Sequence, residues 1–416
     1  MDIYGHCDRR FAEVADEFGR NFDERGEVGA SVAVMVGGEV VVDLWGGFTD
    51  AERSRPWVED TLCNVMSCTK GAVALCAHLL ASAGELDVDE PVVTYWPEFA
   101  TAGKERVLVR HLLNHQAGLP VLADYVPYGG LYDWDGIVGR LAAQAPMWEP
   151  GTRHGYHALT WGFLVGEVIR RVTGQGVGEF LAAEVTGPLG IELWLGLPET
   201  EHDRVARFLP PAPPAPGEPV SRFNMEAMTQ PDSIPFQVMM NNGGYLTPGE
   251  WDSPAALSAV IPASGGVGNA RALARLYGAI LHDGRFGRFA LVPEDVTRMG
   301  AVESAASEDV VLYGPGRWTL GFHKGGSSPK GVSPPVRVSL SEEAFGHTGF
   351  GGSIAFADQG ADMSLAYVMN QMKADMGLAP SGQSLVDAAY RALGYRRDRY
   401  DTWVRHPTAP QDPAQR

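Results

Sequence analysis

Several features that define other classes of protein are missing from this sequence. Its 416 residues include only four cysteines, and Cys63 and Cys68 do not have the spacing of a zinc-binding Cys-x-x-Cys pair. No apolar run approaches the roughly 18 residues of a membrane span, and the first residues lack the apolar segment of a secretory signal. We therefore expect a cytoplasmic protein with free thiols, no metal site and no membrane partner.

Basic residues are also scarce. Lys and Arg total 33 against 51 Asp and Glu, so the formal net charge is -18. Nucleic acid and anionic membrane surfaces would repel such a chain, and neither is expected as its partner. The sequence contains no Gly-x-Gly-x-x-Gly or Walker segment, so no nucleotide is implied and we expect no cofactor. It also lacks Gly-x-Ser-x-Gly, which excludes the nucleophile elbow of α/β-hydrolases. No feature predicts an oligomeric state.

Patterns that are present predict strands near both ends of the chain and helices between them. Gly37-Gly38 joins two runs rich in β-branched residues, as is typical of a hairpin, and strands are predicted at 30–36, 39–45, 353–357 and 363–369. Apolar side chains at helical spacing predict helices over 7–26, 67–83, 158–172, 271–283 and 384–393. The proline-rich segment at 209–220 is typical of a semi-rigid connector.

This order of elements predicts an α/β part combined with an all-α part. Strands at the two chain ends must pair with each other, so residues 1–90 and 262–416 are expected to form one α/β domain. Residues 91–261 are expected to form a mainly helical insertion. A cleft between two such parts is the default place for a site, so we expect the active site there.

A serine and a lysine stand three residues apart in VMSCTKGAV, residues 65–73, beside a long apolar run. A helix beginning at Ser67 places the serine hydroxyl near unpaired backbone N–H groups and puts Lys70 on the same face. A serine becomes a strong nucleophile only when a neighbour takes its proton. Burial can lower the pKa of a lysine from about 10.4 far enough for that task. The spacing also suits a helix cap with a surface lysine, so the motif does not decide by itself.

Two further segments decide the interpretation. WEPGTRHGYHALTWGFLVGEVIRRVTG, residues 148–174, presents Tyr156 just before a helix, and EAFGHTGFGGSIAF, residues 343–356, presents His347-Thr348-Gly349 at a strand. With Ser-x-x-Lys ahead of them, the chain resembles the serine β-lactamase and penicillin-binding-protein superfamily. Within it, the chain is most similar to class C β-lactamase-like carboxylesterases of family VIII.

This resemblance implies a fold and a set of roles. The fold would be that of β-lactamases and DD-peptidases, an antiparallel sheet flanked by helices with an inserted helical domain. Ser67 would be the acylated nucleophile, and Lys70 and Tyr156 would share the proton transfers, with either as the general base. The backbone N–H groups of Ser67 and Phe350 would form the oxyanion hole.

The motifs also depart from those of β-lactamases. Ala158 replaces the asparagine of Tyr-x-Asn, and His347 replaces the lysine of Lys-Thr-Gly, so two groups that would hold a β-lactam are absent. We expect the substrate to contact His347, Thr348, Gly349 and the loop aromatics Trp318 and Tyr128. His111 and His115 are four residues apart without a third ligand at matching spacing, and we interpret them as structural.

We therefore predict a serine carboxylesterase whose partner is a small-molecule ester or acyl donor. An acyltransferase that passes the same acyl group to an alcohol or amine is the alternative, because relatives in natural-product pathways act in this way. A β-lactam hydrolase and a catalytically silent binding protein are the remaining alternatives. The intact set of Ser67, Lys70, Tyr156 and His347 argues against the silent protein.

Overall fold

A six-stranded antiparallel sheet takes three strands from each end of the chain. The computed structural model describes residues 1–212, 220–303, 308–314, 316–327, 337–373 and 377–405. In this part of the chain the strands β1 to β15 are, in order, Ile3–Cys7, Gly29–Val36, Glu39–Gly47, Cys63–Asn64, Leu193–Leu195, Gly266–Gly268, Arg285–Phe286, Phe289–Ala290, Gly326–Ser327, Arg337–Val338, Ala344–Thr348, Ile354–Asp358, Met363–Met369, Tyr395–Arg397 and Trp403–Arg405. The large sheet has the order β1-β3-β2-β13-β12-β11.

Helices cover the sheet and fill the middle of the chain. The α-helices α1 to α13 are, in order, Ala12–Glu24, Thr69–Ser82, Val109–Leu113, Trp134–Ala143, Thr160–Thr173, Val177–Leu181, Gly187–Leu189, Arg222–Thr229, Ile234–Met240, Pro254–Ser258, Ala270–Leu281, Pro293–Met299 and Pro380–Ala392. Short 3-10 segments include Met66–Cys68, directly before α2. None of the helices in the described ranges is long and apolar enough to span a bilayer.

The predicted strands are present with small shifts of their ends. Gly37 and Gly38 both have positive φ, 59° and 82°, which is the conformation that a two-residue hairpin between β2 and β3 requires. β13 lies over the predicted residues and pairs with β2, so the N-terminal hairpin joins the C-terminal strands in one sheet. The fold is thus α/β with an antiparallel sheet, as expected.

The prediction of one helix over 7–26 is partly wrong. Residues 3–7 form β1, which pairs with β3 at the edge of the sheet, and α1 begins only at Ala12. The helical spacing was real over α1, where Val14, Phe18 and Phe22 are buried. It carried no information about β1, because an exposed edge strand shows little apolar alternation.

The two faces of the sheet carry different helices. Ser364 of β13 donates a hydrogen bond from its Oγ to the Ala274 carbonyl of α11, at 2.8 Å. Tyr367 lies three residues further along β13, so its side chain points to the opposite face. On that face Asn21 of α1 donates to the Ser381 carbonyl of α13, at 3.1 Å, which ties the two terminal helices together.

The division into domains at 90/91 and 261/262 remains a prediction. Between these positions the regular elements of the described residues are helices apart from the short strand β5, which pairs with β6 beyond the second boundary. Most of the proline-rich segment predicted as a connector lies outside the described residues.

Glu27, just before β2, generates a prediction about stability. Burial raises the pKa of its carboxyl to about 7, and Lys373 and the Tyr367 hydroxyl, which donates to Oε2 at 2.6 Å, oppose the rise. Since the folded pKa lies above the unfolded value, the contribution of Glu27 to stability is full in acid and is lost as pH rises through about 7. Glu27→Gln cannot ionise. Between about pH 5 and about pH 8 we expect the melting temperature of the wild type to fall relative to Glu27→Gln by on the order of a few °C.

The measurement is a melting curve at each pH for the wild type, Glu27→Gln and Glu39→Gln. Glu39 is exposed, so its variant is the matched control and is expected to follow the wild type. Parallel curves for the wild type and Glu27→Gln would contradict the prediction.

Candidate active site

Ser67 lies in a strained turn that precedes helix α2. Met66, the residue before it, has φ 49°, a left-handed conformation that is uncommon for a non-glycine residue. The turn is held by the Met66 N–H, which donates to Asn64 Oδ1 at 2.7 Å, and by the Thr69 hydroxyl, which donates to the Met66 carbonyl. Thr69 in turn accepts from the Gly266 N–H of β6, at 2.9 Å. These contacts fix where the Ser67 side chain projects.

The Ser67 hydroxyl is shared by the two other predicted catalytic side chains. Its Oγ lies 3.2 Å from Lys70 Nζ and 2.7 Å from the Tyr156 hydroxyl. Lys70 reaches it from one turn further along α2, whereas Tyr156 comes from the segment before α5. The three residues, up to 89 positions apart in the chain, meet at one oxygen atom.

Lys70 has the surroundings of a neutral amine. Its side chain is fully buried, and this burial lowers the pKa of the amine well below its usual range. Besides Ser67, its hydrogen-bond partners among the described residues are the carbonyl oxygens of Ala158 and Ala263, each 2.9 Å from Nζ. A neutral amine has two N–H groups and one lone pair. With the N–H groups on the two carbonyls, the lone pair is left to face the Ser67 hydroxyl and can take its proton.

Tyr156 has the surroundings of a neutral phenol. Burial raises its pKa, so its hydroxyl keeps its proton and donates to Ser67. Its ring stacks on Trp318, with centroids 5.2 Å apart and planes within 5°. The His115 ring packs edge to face with the same Trp318, at a centroid distance of 4.4 Å. The phenol is therefore placed to give a proton rather than to take one.

The two backbone N–H groups predicted as an oxyanion hole are available. In the described part of the chain, neither the Ser67 N–H nor the Phe350 N–H donates to a protein acceptor. Both residues line the same cavity. Gly349 allows the close approach of this strand end, because a Cβ there would lie 2.7 Å from the Val65 carbonyl oxygen.

His347 is neutral and presents an acceptor. Its Nδ1 lies 2.7 Å from the Thr348 carbonyl, which can only accept, so Nδ1 carries the proton. Its Nε2 has no partner among the described residues. Burial, and then the nearby Lys70, lowers the pKa of the ring well below its usual range. The position at which β-lactamases carry a lysine thus bears no positive charge here.

A cavity of about 130 Å³ opens above Ser67. Its described lining is mostly apolar, and the lining residues include Phe223 of α8, Val238 and Met239 of α9, Leu246 after α9, and Val311 and Leu312 of the loop after α12. Trp318, His347, Thr348 and Gly349 also line it, and their contact with a substrate stays a prediction. None of the described lining residues is an Asp, Glu, Lys or Arg.

Tyr128 is the predicted substrate contact that the structure does not bring to the cavity. Its side chain is 75% exposed, and its hydroxyl donates to Glu250 at 2.7 Å. The prediction treated loop aromatics alike, but Tyr128 lies on an exterior loop while Trp318 lies in the wall of the cavity. We therefore remove Tyr128 from the candidate site.

Sequence reasoning also missed contacts to the catalytic side chains. His115 packs against Tyr156 and Trp318, and the Asp309 carboxylate accepts from the Tyr156 N–H at 3.1 Å. Neither contact has a motif, since Asp309 is 153 residues away from Tyr156 in the chain. Across the described residues, no group of three or more His, Cys, Asp and Glu side chains is arranged to hold a metal ion.

Comparisons with known proteins agree on one family. A family model described as Beta-lactamase matches residues 11–389. The chain is 35% identical over 374 residues to the Esterase/beta-lactamase LipL of Mycobacterium tuberculosis, which covers 89% of this chain and 83% of that protein. A crystal structure of a family VIII carboxylesterase is 39% identical, with a TM-score of 0.81, and covers 94% of this chain and 100% of that one. A penicillin-binding-protein homologue from Caulobacter crescentus is 38% identical, with a TM-score of 0.80 and the same coverage of both chains.

The environment of Lys70 predicts how Ser67 responds to pH. A fluorophosphonate probe reacts only when the Ser67 proton is removed, so its rate should follow the neutral fraction of Lys70. Because the pKa of Lys70 is lowered, we expect the labelling rate to reach its plateau well below pH 10 and to fall about tenfold per pH unit on the acid side. The high pKa of Tyr156 keeps the alkaline side flat.

Intact-mass measurement of the labelled protein across pH gives the rates. Lys70→Met is expected to lose the pH-dependent labelling. Lys104→Met is the matched control, because Lys104 is equally buried, bonds to three carbonyl oxygens and does not contact Ser67. Labelling of Lys70→Met at the wild-type rate would show that another group activates the serine.

Proposed function

The chain belongs to the beta-lactamase family, and within that family we propose that it is a serine carboxylesterase that hydrolyses uncharged esters through an acyl group on Ser67. The observation that carries the proposal is the meeting of Lys70 and Tyr156 at Ser67 Oγ, inside a cavity with an apolar wall. Two of the similar proteins bear the names esterase and carboxylesterase, which supports the same reaction.

Acylation would begin with the transfer of the Ser67 proton to the Lys70 amine. The Ser67 oxygen then attacks the ester carbonyl, and the N–H groups of Ser67 and Phe350 donate to the oxygen that becomes negative. As the carbon–oxygen bond of the alcohol breaks, Tyr156 gives its proton to the departing oxygen. The phenolate recovers a proton from the Lys70 ammonium, which leaves both groups neutral beside the acyl-enzyme.

Deacylation would use the same groups in reverse. Water occupies the place that the alcohol has left, and the pair of Lys70 and Tyr156 takes a proton from it as it attacks the acyl carbonyl. The Ser67 oxygen leaves and regains a proton from the same pair. The products are a carboxylic acid and an alcohol, and the enzyme returns to its starting protonation.

The walls of the cavity support an uncharged substrate. Burial holds the pKa of His323 at about 4 and that of His347 well below its usual range, so both rings that line the cavity are neutral at pH 7. Ala158 offers no side-chain amide. A substrate carboxylate would find no fixed cation among the described lining residues, whereas an alkyl or aryl group would replace water against Phe223 and Leu312.

Acyl transfer to an alcohol is the second candidate. The apolar wall that suits an ester also suits an apolar acceptor, which would compete with water for the acyl-enzyme.

We also propose a cytoplasmic location for the protein, which is supported by four cysteines that are all free thiols. The expected partner is a small-molecule ester or acyl donor.

The first prediction compares an ester with a β-lactam. We expect kcat/KM for p-nitrophenyl butyrate to exceed that for nitrocefin by at least about two orders of magnitude, or roughly 2.7 kcal/mol of transition-state binding. Both are measured at one pH with Ser67→Ala as the blank. Similar kcat/KM values on the two substrates would instead favour β-lactam hydrolysis, and the name of the relative LipL includes both esterase and beta-lactamase. Poor turnover that rises sharply with added alcohol would favour acyl transfer.

The second prediction concerns the hydroxyl of Tyr156. Tyr156→Phe keeps the stacked ring and removes the proton donor, so we expect kcat on an alkyl ester to fall by about 10²–10⁴-fold. Tyr277→Phe is the matched control, since Tyr277 is also buried and its hydroxyl has no partner among the described residues. A Tyr156→Phe enzyme within a few-fold of the control would assign Tyr156 to packing.

A further inference from the structure

A buried carboxylate ties Tyr156 to the loop that forms one wall of the cavity. Asp309 is 1% exposed, and its Oδ1 accepts from the Tyr156 N–H at 3.1 Å. The same oxygen accepts from the N–H groups of Val311 and Leu312, each at 2.8 Å, and both of these residues line the cavity. The Asp309 N–H closes the loop on the Gly314 carbonyl at 2.9 Å. The Oδ1 atom of Asp309 therefore fixes the position of the Tyr156 backbone relative to Val311 and Leu312 in the cavity wall.

The second oxygen of Asp309 reaches Tyr156 by another route. Its Oδ2 accepts from the indole N–H of Trp318 at 3.0 Å. The Trp318 ring in turn lies parallel to the Tyr156 ring, 5.2 Å between centroids. One carboxylate thus holds both the backbone of Tyr156 and, through Trp318, the plane of its ring. The hydroxyl of that ring donates to Ser67 at 2.7 Å.

The hydrogen-bond partners of Asp309 indicate that its side chain is an ionised carboxylate. Its four hydrogen-bond partners among the described residues are all N–H donors, which suit the acceptor-only oxygens of a carboxylate and would leave the hydroxyl of a carboxylic acid without an acceptor. Burial raises the pKa of Asp309, and the backbone donors oppose the rise. The nearby His154 is buried, and its pKa is lowered. Within the described residues both of its ring nitrogens lack partners, so His154 does not take a share of the donors.

We propose that Asp309 is a positioning residue of the esterase reaction, an inference that rests on the function proposed above: it holds Tyr156 and Trp318 so that the Tyr156 hydroxyl meets the departing alcohol. Asp309 does not touch the substrate, because it acts through the backbone N–H of one residue and the indole of the other. A displacement of a reacting group by about 1 Å costs on the order of 10²-fold in rate, so the effect is large enough to measure.

The choice of leaving group separates positioning from general support of the fold. A p-nitrophenolate leaves without a proton, whereas an ethoxide needs one from Tyr156. Asp309→Asn keeps one oxygen for the three backbone N–H groups but turns an NH₂ toward the indole N–H, so it breaks the Trp318 contact alone. Because both esters form the same acyl-enzyme, the acylation step is compared through kcat/KM. We expect kcat/KM to fall by about 10²-fold on an ethyl ester and by less than about tenfold on the p-nitrophenyl ester of the same acid.

Two further variants complete the experiment. Asp358→Asn is the matched control: Asp358 is also fully buried, accepts from Ser341, Tyr390 and the Ala361 N–H, and does not line the cavity. Its ratio of kcat/KM on the ethyl ester to kcat/KM on the p-nitrophenyl ester is expected to equal that of the wild type. Trp318→Phe keeps a stacking ring without the indole N–H, and it is expected to lower the ratio in the same direction as Asp309→Asn, which keeps the test open if Asp309→Asn does not fold.

Each outcome assigns a role. If both Asp309→Asn and Trp318→Phe leave the ratio of ethyl to p-nitrophenyl activity unchanged, the proposal is overturned and Asp309 is a structural residue. A wild-type enzyme that turns over neither ester would contradict the proposed function itself, independently of Asp309. A selective loss on the ethyl ester in the variants, with the control unchanged, would establish the positioning role.

Discussion

The burial of one amine is the constraint on which the rest of the site depends. Lys70 lies in the first turn of α2, a helix whose residues from Thr69 to Leu80 are all buried, so the amine has no access to bulk water. A charged ammonium in such a place would be costly, and its hydrogen-bond partners in the described part of the chain are neutral, two carbonyls and the Ser67 hydroxyl. The amine therefore remains neutral, and a neutral amine beside a serine hydroxyl is a base. Desolvation alone is enough, because no neighbouring cation contributes to the lowered pKa of Lys70.

The two carbonyls that accept from Lys70 come close together because two nearby positions are glycines, which have no side chain. Ala158 precedes α5 and Ala263 precedes β6, and α5 can approach the second segment because position 162 is glycine. A Cβ on Gly162 would lie 2.3 Å from the Ala263 backbone nitrogen. Gly71, next to Lys70, makes the same kind of room for Tyr277, because a Cβ on Gly71 would lie 2.1 Å from the Tyr277 hydroxyl oxygen. Close backbone packing thus excludes water and supplies the acceptors at once.

The sequence predicted those parts that depend on local pattern. The hairpin at Gly37-Gly38, the strand β13 and the pairing of Ser67 with Lys70 follow from turn residues, alternation and helical spacing. The place of Tyr156 beside them follows from the family resemblance. Sequence reasoning missed β1, because an exposed edge strand leaves little apolar pattern, and it misplaced Tyr128, because exposure depends on the tertiary fold. The Asp309 contacts were beyond reach for the same reason, since an aspartate in a turn has the same local sequence whether its carboxylate faces solvent or the backbone of a catalytic residue.

Because the ring of His347 is neutral, the charge of a bound substrate acts directly on the pKa of the base, Lys70. The pKa of His347 is lowered by burial and then by the nearby Lys70, whose own pKa is lowered by burial, so neither group adds positive charge to the site at pH 7. A substrate carboxylate placed there would meet no fixed cation on the described walls and would instead favour the ammonium form of Lys70 by Coulomb attraction in a medium of low dielectric constant. That attraction would raise the pKa of the base and withdraw the lone pair that Ser67 needs. An uncharged ester leaves Lys70 neutral, so the selection against anionic substrates and the activation of the nucleophile have one physical origin.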